Sequence, residues 1–435
     1  AVSPGLPSRY VSDGHNLDSD GTCLPADVRQ PSDIPNGNAN LGPLADNGGP
    51  TLTHALLSDS QAIDAGDDAV CAAAPVNAID QRGVARPQSA HCDIGAVEVQ
   101  IDQGATFTVT KFTDSNDGVC DSDCSLREAI AAANLRPSPD QIQLDSGTYL
   151  LTIPTLRDAE NDSVDEDGNA IGDLDIADDL VLVGKGAAAT IIDGNQGDRV
   201  LEVLSTAKVT VEDLTIRNGL MSEMGGGLSN SGTLLLNRVH VVDNRAASAF
   251  RIGHGGGLFN DGTLTVTNSL LANNHAAGGE ASYGEGGAIR NDGVMTMTQS
   301  TIQNNRVSDD NDYGIGGGIV NQGALHIERS TLTDNHTVRG PGGAIANRLG
   351  GRLKVINSTI SANGSGSGGG IANGNEFDDP GAVMLIHTTI ANNIGGGLYN
   401  RGVTTATNTI IAGNLLDVDE KTTAQNCFSA GIFTL

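Results

Sequence analysis

The side chains best suited to acid–base chemistry stand beside a glycine run in the middle of the chain. His254 lies between two glycines, with Arg251 three residues before it. Cleavage of a glycosidic bond needs a pair of carboxylates that flank the bond. The aspartate pairs of this sequence fall in predicted loops of different repeats, at 178/179, 309/310 and 378/379. We therefore interpret His254 as a variable residue at the entrance to a glycine run, and we predict no catalytic residue.

A second candidate is a metal site in the acidic stretch that runs from Arg157 to Asp173. This stretch places Asp162, Asp165, Asp167 and Asp173 around a glycine. Calcium prefers oxygen ligands at this density. The order of the ligands does not match an EF-hand loop, so a solvated acidic loop stays open as the alternative. No other cofactor is predicted.

The six cysteines indicate disulfides rather than a metal site. None belongs to a CxxC metal array, and no closely spaced histidines accompany them, so zinc is not expected. An even number in an acidic, lysine-poor chain favours an oxidising, extracellular setting, with six buried free thiols as the alternative. The predicted pairs are Cys71 with Cys92 and Cys120 with Cys124, which leaves Cys23 and Cys427.

These residues are carried by a seven-fold repeat between Gly225 and Gly402. Each copy has two or three glycines or alanines, an aliphatic residue, a variable residue and an asparagine. The asparagines are Asn230, Asn260, Asn291, Asn321, Asn347, Asn373 and Asn400, at spacings of 30, 31, 30, 26, 26 and 27 residues. A period of this size, with short strand patterns and no helical pattern, indicates a solenoid.

Within each repeat the pattern predicts three strands and three bends, which describes a parallel β-helix. Apolar residues alternate after the asparagine, as in Leu234/Leu236 and Leu264/Val266, so one face of that strand is buried. A second short strand follows and closes on another asparagine. The second column is Asn305, Asn335, Asn363, Asn393 and Asn414. With turns stacked ~4.8 Å apart, equivalent amides can hydrogen-bond along the stack; a ligand-binding face is the alternative.

The composition excludes several classes of partner. The chain has 435 residues, 3% aromatic residues, no tryptophan and a net charge of -29. This charge argues against nucleic acid or an anionic membrane as partner, although it permits calcium. No apolar run approaches the roughly 20 residues of a membrane span.

The parts of the chain differ in pattern. Residues 1–98 are irregular and rich in glycine, proline, aspartate and asparagine, and 99–105 form a linker. Residues 106–139 predict an entry strand and a short helix over Ser125 to Asn134, with Asp123 or Ser125 as N-cap, which would cover the first turn of the stack. The turns of the β-helix occupy 140–435.

The motif CSLREAIAAAN at 124–134, followed by GDLDI, ATIIDG, LTIRNG and the glycine–asparagine repeats, resembles the bacterial surface proteins named for CSLREA. Their turns are similar to those of polymorphic outer-membrane proteins and pectate-lyase-like right-handed parallel β-helices. The segments AIDAGD and CDIGAVE within 40–98 resemble the part that closes the family's β-helix at its C-terminal end. The resemblance implies an all-β solenoid at the bacterial cell surface, and implies no particular activity.

The order of these parts predicts self-association. The closing segment comes first here, and the link from 99 to 105 is too short to carry it back along the stack. We therefore expect a non-enzymatic filament or stalk that assembles head to tail, with Cys23 and Cys427 joined between subunits and cell-surface glycans as further partners. The alternative is a polysaccharide-binding or polysaccharide-degrading protein. His254 and Arg251 resemble one fragment of a polygalacturonase site, but Tyr283, Tyr313 and Tyr399 are not expected at equivalent repeat positions, and Phe259 is expected to be isolated.

Overall fold

The computed structural model describes residues 11–100, 104–136, 139–157, 163–164, 168–247, 251–278, 283–308, 313–374, 379–418 and 421–434. The chain divides into two compact units, Ala1–Asp102 and Gln103–Leu435. The larger unit is a parallel β-helix, as the repeats predict. Each turn of the chain adds one strand to each of three long sheets, named A, B and C here.

Sheet A is built from the glycine–asparagine motif. Its neighbouring strands are parallel and pair in register, so that Asn230, Asn260 and Asn291 stand opposite one another. Its ten strands are Leu174–Ile176, Leu201–Val203, Leu228–Asn230, Leu258–Asn260, Ile289–Asn291, Ile319–Asn321, Ile345–Asn347, Ile371–Asn373, Leu398–Asn400 and Cys427–Ser429.

Sheet B holds the strands with alternating apolar residues. Leu234, Leu236, Leu264 and Val266 are at most 1% exposed, so this alternation marks the inward face as predicted. Its twelve strands are Thr106–Thr108, Asp140–Gln143, Leu180–Val183, Lys208–Glu212, Thr233–Asn237, Thr263–Thr267, Val294–Thr298, Ala324–Glu328, Arg352–Ile356, Ala382–Ile386, Val403–Thr407 and Ile432–Thr434.

Sheet C supplies the third wall of the core. Its central residues, such as Val241, Leu271 and Ile302, are fully buried between the strands of sheets A and B. Its ten strands are Gly147–Leu150, Thr190–Asp193, Thr215–Arg217, His240–Val242, Leu270–Ala272, Thr301–Gln303, Thr331–Thr333, Thr359–Ser361, Thr389–Ala391 and Ile410–Ala412.

Two further parallel sheets, which the sequence patterns did not predict, lie between sheet C and the next strand of sheet A. Sheet D has the strands Leu220–Met221, Arg245–Ala247, His275–Ala277, Arg306–Ser308 and His336–Thr337. A three-stranded sheet, Gly253–His254, Gly284–Glu285 and Gly314–Ile315, follows it. These strands were missed because they hold only two or three residues, too few to show a period.

The remaining strand pairs are short. Antiparallel pairs join Leu156–Arg157 to Ser163–Val164 and Leu415–Val418 to Lys421–Ala424. In the smaller unit, Leu41–Ala45 pairs antiparallel with Thr53–Leu56, and Leu17–Asp18 pairs parallel with Ile34–Pro35. That unit also contains a short helix, Asp68–Ala72, that the sequence reading missed, and the disulfide between Cys71 and Cys92.

The glycine runs are explained by close contact between backbones at the corner before sheet A. A Cβ on Gly226 would lie 2.3 Å from the carbonyl oxygen of Arg245 and 2.5 Å from that of Gly256. Because these atoms belong to the backbone, no side-chain movement can relieve the overlap. Gly225 adds a φ of +65°, a conformation that glycine adopts readily.

The predicted helix spans Leu126–Asn134 and closes one end of the stack. Ser125 is its N-cap, and a capping box pairs its side chain and backbone with Glu128. Leu126, Ile130 and Ala133 are buried, and the helix contacts the first strand of sheet A and the second strand of sheet B. The nearby Cys120–Cys124 disulfide holds the segment that leads into the helix.

Two columns of buried asparagines run along the stack at the corners between sheets. In the first, each Nδ2 donates to the Oδ1 of the next turn at 2.6–2.9 Å, from Asn230 to Asn400. In the second, Asn305 donates to Leu271 O, Gln303 O and Asn335 Oδ1, and its own Oδ1 accepts from Asn274. Every polar atom of the Asn305 side chain therefore has a partner inside the protein.

We predict that Asn305→Ala destabilises the β-helix by at least about 2 kcal/mol, because it leaves buried groups of Leu271, Asn274 and Asn335 without a partner. The measurement is chemical unfolding followed by circular dichroism. Gln303→Ala, a partly exposed residue two positions earlier, is the matched control and should stay within about 0.5 kcal/mol of wild type. Equal losses in both variants would contradict the role of the buried column.

Candidate functional site

The outer face of sheet A carries one side chain per turn, at the variable position of the repeat. The pairing of neighbouring strands places the following residues in this column: Ser229, Phe259, Arg290, Val320, Ala346, Ala372, Tyr399 and Phe428. Tyr399 and Phe428 stack with ring centroids 5.0 Å apart. Phe259 shares this column but lies five turns from Tyr399, and its ring forms no aromatic pair with any described residue.

A second aromatic pair lies on the turns beside the three-stranded sheet. Tyr283 and Tyr313 precede Gly284 and Gly314, which pair in register, and their rings meet edge to face at 5.8 Å. The expectation that Tyr283 and Tyr313 do not share equivalent repeat positions is wrong, whereas Tyr399, on sheet A, is not equivalent to either of them. The reason is that counting from the glycine run, and not from the preceding asparagine, gives the register of this segment.

Glu285 is the centre of a charged cluster above sheet A. Its side chain is only 4% exposed, and its carboxylate forms ion pairs with Arg290 of the same turn and Arg348 of the turn two further along. The distance from Arg348 Nη1 to Glu285 Oε1 is 2.6 Å. Arg290 also binds Asp292, with its Nε 3.0 Å from Oδ1. Two guanidinium groups thus neutralise two carboxylates on this face.

His254 completes the cluster from the preceding turn. Its Nδ1 lies 3.3 Å from Glu285 Oε2 and 3.0 Å from Arg290 Nη1. Burial, aided by the positive charge of Arg290, lowers the pKa of His254 to about 4. The ring is therefore neutral near pH 7, so its contact with Glu285 is not an ion pair. Arg290 donates to Nδ1, which places the ring proton on Nε2.

This arrangement suits chemistry on a carboxyl group better than cleavage between two free carboxylates. Glu285 is held by two arginines, so its main effect is to orient them. Guanidinium groups bind carboxylates in a bidentate manner and stabilise negative charge that develops on oxygen. The Nε2–H of His254 is a further donor. The sequence pattern singles out His254 but not Glu285, Arg290 or Arg348. The available signal is that Glu285 stands directly before its glycine run, as His254 does.

The pKa of His254 predicts a defined pH dependence of stability. Its folded pKa of about 4 lies below its ordinary value of 6.5, so the folded state resists protonation and loses stability as pH falls below about 6.5. At pH 4.5 this loss reaches about 2 to 3 kcal/mol. His254→Gln should remove that part of the acid destabilisation, measured as the free energy of unfolding at pH 7 and pH 4.5. An equal effect of His387→Gln, at an exposed position, would contradict burial as the cause.

A second group of buried acids lies next to the helix. Carboxylate oxygens of Asp173, Asp175 and Glu202 lie within 4.8 Å of one another. Arg199 binds two of them, with Nε 2.7 Å from Asp173 and Nη2 2.6 Å from Glu202. A guanidinium thus provides the positive charge that a cation would bring. The donors are oxygens of the kind that calcium takes, and the single guanidinium of Arg199 balances the charge of only one of the three carboxylates.

The predicted calcium ligands are only partly covered by these observations. Asp162, Asp165 and Asp167 lie outside the described residues. Asp173 is described, and it is buried in the ion pair with Arg199. The calcium site therefore stays a prediction.

Asp198 lies beside this group, and its pKa differs from the ordinary value of an aspartate. Burial, together with the negative charge of Asp173, raises the pKa of Asp198 to about 6. Its ordinary value is 3.8, so the folded state holds this proton more tightly than the unfolded state. The contribution of Asp198 to the stability of the folded state is therefore largest below about pH 4. This contribution is lost as pH rises from about 4 to 6.

We predict that Asp198→Asn stabilises the protein at pH 8 by about 2 kcal/mol, because it removes a buried charge while Oδ1 still accepts from the backbone N–H of Arg199. The gain should disappear below pH 4, where wild-type Asp198 is protonated. Thermal unfolding at the two pH values measures it. Asp261→Asn, which removes an exposed charge, is the control; a gain independent of pH would contradict this account.

Two cysteines remain as thiols beside the two disulfides. Cys23 and Cys427 are exposed, one in each compact unit. Burial of its sulfur raises the pKa of the Cys427 thiol, although the residue as a whole is exposed. The predicted bond between Cys23 and Cys427 of neighbouring subunits stays a prediction.

Comparison with known proteins finds distant similarity to several solved structures. No family model matches the chain, and no curated protein matches its sequence. A pectin methylesterase solved with a hexasaccharide is similar at 13% identity and a TM-score of 0.37, over 66% of this chain and 89% of that one. Pectin methylesterase PemA from Erwinia chrysanthemi gives 12% identity and a TM-score of 0.32, over 76% and 89%. The Azotobacter vinelandii mannuronan C-5 epimerase AlgE6 A-module gives 14% and 0.27, over 76% and 96%.

These findings change the expectations about function. The prediction that the chain is not an enzyme is contradicted, since the solved structures with a similar fold are polysaccharide-modifying enzymes. At 12–14% identity and TM-scores of 0.27 to 0.37, these similarities assign no activity to this chain. Neither the CSLREA family nor a bacterial cell-surface location is shown, and nothing supports the predicted filament. In the described part of the chain, neither helix is long and apolar enough to cross a membrane.

Proposed function

We propose that the β-helix modifies a polysaccharide, and that the sugar chain lies along the outer face of sheet A. The observation that carries this proposal is the cluster of Glu285, Arg290, Arg348 and His254 above that face. Buried charges of this kind are retained where they perform chemistry or binding more readily than where they only add stability. The likeness in fold to polysaccharide-modifying enzymes agrees with it and is not its basis.

The aromatic residues support a sugar chain as the ligand. The stacked pair of Tyr399 and Phe428 is partly exposed, and it belongs to the same column as Arg290. Aromatic side chains provide large apolar contact area with little loss of conformational entropy. Val320, Ala346 and Ala372, which lie between Arg290 and Tyr399 in this column, are buried. A ligand would therefore contact the rings near one end and the charged cluster near the middle of the stack, and not the side chains between them.

The proposed reaction takes place at a carboxyl group or ester of the sugar. In such reactions negative charge develops on the carboxyl oxygens, and donors fixed in advance stabilise it. Arg290 and Arg348 would supply that stabilisation, and the Nε2–H of His254 would orient the sugar. Glu285 would act as a positioning residue, because its carboxylate fixes both guanidinium groups.

The test measures methanol release from methylated pectin and changes in polygalacturonate and alginate composition by NMR. Wild-type protein should modify at least one of the three. Removal of one stabilising donor lowers turnover by about 100-fold or more, so Arg290→Gln and Arg348→Gln should do so while the substrate concentration at half-maximal rate changes less. Glu285→Gln should act through the arginines and have a smaller effect.

The matched control is Arg238→Gln, which removes an arginine that pairs with Asp213 and Glu212 away from this face. It should keep wild-type turnover. Failure of the wild-type protein to modify any of the three polysaccharides would contradict the proposal, and so would full turnover by the Arg290 and Arg348 variants.

A further inference from the structure

Sheet D aligns four basic residues on successive turns. Its register pairs Arg245 with His275, His275 with Arg306, and Arg306 with His336. We call these four residues the basic ladder. With strands about 4.8 Å apart, the two arginines stand roughly 9.6 Å from each other along the axis of the solenoid.

Among the described residues, neither arginine of the ladder has an acidic partner. Both are exposed, and within the described residues their side chains form no hydrogen bond or ion pair. Arg217, Arg238 and Arg290, by comparison, all bind carboxylates.

The ladder is confined to one part of the surface. The same column holds Leu220 on the turn before Arg245, and Gly364 and Ile394 on the turns after His336. Arg245, His275 and Arg306 line a cavity of about 270 Å³, together with Asp243 and Asn273 among others. The basic side chains therefore border a depression and do not stand on a flat wall.

His275 separates the two charges and does not add to them. Its Nε2 lies 2.6 Å from Ser308 Oγ. Burial, together with the positive charges of Arg306 and Arg245, lowers the pKa of His275 to about 4, so it is neutral near pH 7. The basic ladder therefore presents two fixed positive charges with a neutral hydrogen-bonding group between them.

We propose that the basic ladder binds an acidic polysaccharide that runs along the solenoid axis, with carboxylates of the sugar chain on Arg245 and Arg306. The choice of a sugar chain as the ligand rests on the proposed function above. The requirement for spaced negative charges rests only on the positions of Arg245 and Arg306. Guanidinium groups form bidentate pairs with carboxylates. Double-stranded DNA carries one negative charge per about 1.7 Å of helix axis, a spacing far closer than the roughly 9.6 Å between the two arginines.

The ladder lies outside the Glu285 cluster but close to it along the chain. His275 and Glu285 belong to one turn and are separated by 10 positions in the sequence. The ladder would thus hold a substrate chain and raise its local concentration near the cluster.

The experiment measures binding of polygalacturonate by isothermal titration calorimetry at low salt. The Arg245→Gln/Arg306→Gln variant should bind at least about tenfold more weakly than wild type, because two charge-assisted contacts are lost. The control Arg217→Gln/Arg238→Gln removes the same total charge from arginines that already have carboxylate partners, and should bind within about twofold of wild type. Circular dichroism melting confirms that both variants fold.

Equal binding by wild type and the ladder variant would overturn the proposal. An equal loss in both double variants would also overturn it, since net charge alone would then explain the effect. Binding of an oligo(dT) strand as tight as that of polygalacturonate would overturn the choice of a polysaccharide. Binding that depends on the ladder but occurs without turnover of any substrate would support the ladder and refute the proposed function, so the two fail separately.

Discussion

The whole structure depends on the in-register stacking of one turn of chain on the next. Backbone hydrogen bonds join each strand to the equivalent strand of the following turn, and the buried asparagine columns repeat this contact with side chains. Because the side-chain period of a strand is two, a slip of one residue would turn the buried leucines outward. Register is therefore strongly specified, and residues at equal offsets in the repeat stand in columns on the surface.

These columns explain how residues that are far apart in the sequence can form one site without a long loop to bring them together. Glu285 and Arg348 are separated by 63 positions in the sequence, yet their side chains bind at 2.6 Å. Stacking brings the three-stranded sheet that holds Glu285 close to the end of the sheet A strand that Arg348 follows. The side chains at the variable position of the repeat differ in exposure: Val320, Ala346 and Ala372 are buried, whereas Tyr399 is half-buried and Phe428 is exposed. Arg290 occupies the same position in its turn and binds Glu285.

The sequence was enough to predict the solenoid, its inward faces and the capping helix, since these follow from periodicity and capping residues. The asparagines gave the register of sheet A directly. The short strands of sheet D and the cluster around Glu285 could not be predicted in the same way. Loops of unequal length precede Glu285, so its position opposite His254 appears only when the glycine runs are aligned. The contact of Arg348 with Glu285 is harder still to predict, because the long side chain of Arg348 reaches across two turns and no local sequence pattern specifies such a contact.

The central claim is that stacking brings Glu285 and Arg348 together, and a double-mutant cycle tests it most directly. The free energy of unfolding is measured for wild type, Glu285→Gln, Arg348→Gln and the double variant. The account predicts a coupling energy of about 1 to 3 kcal/mol between these two positions, because each buried partner is left unpaired when the other is removed. Additive effects, with coupling below about 0.5 kcal/mol, would contradict it.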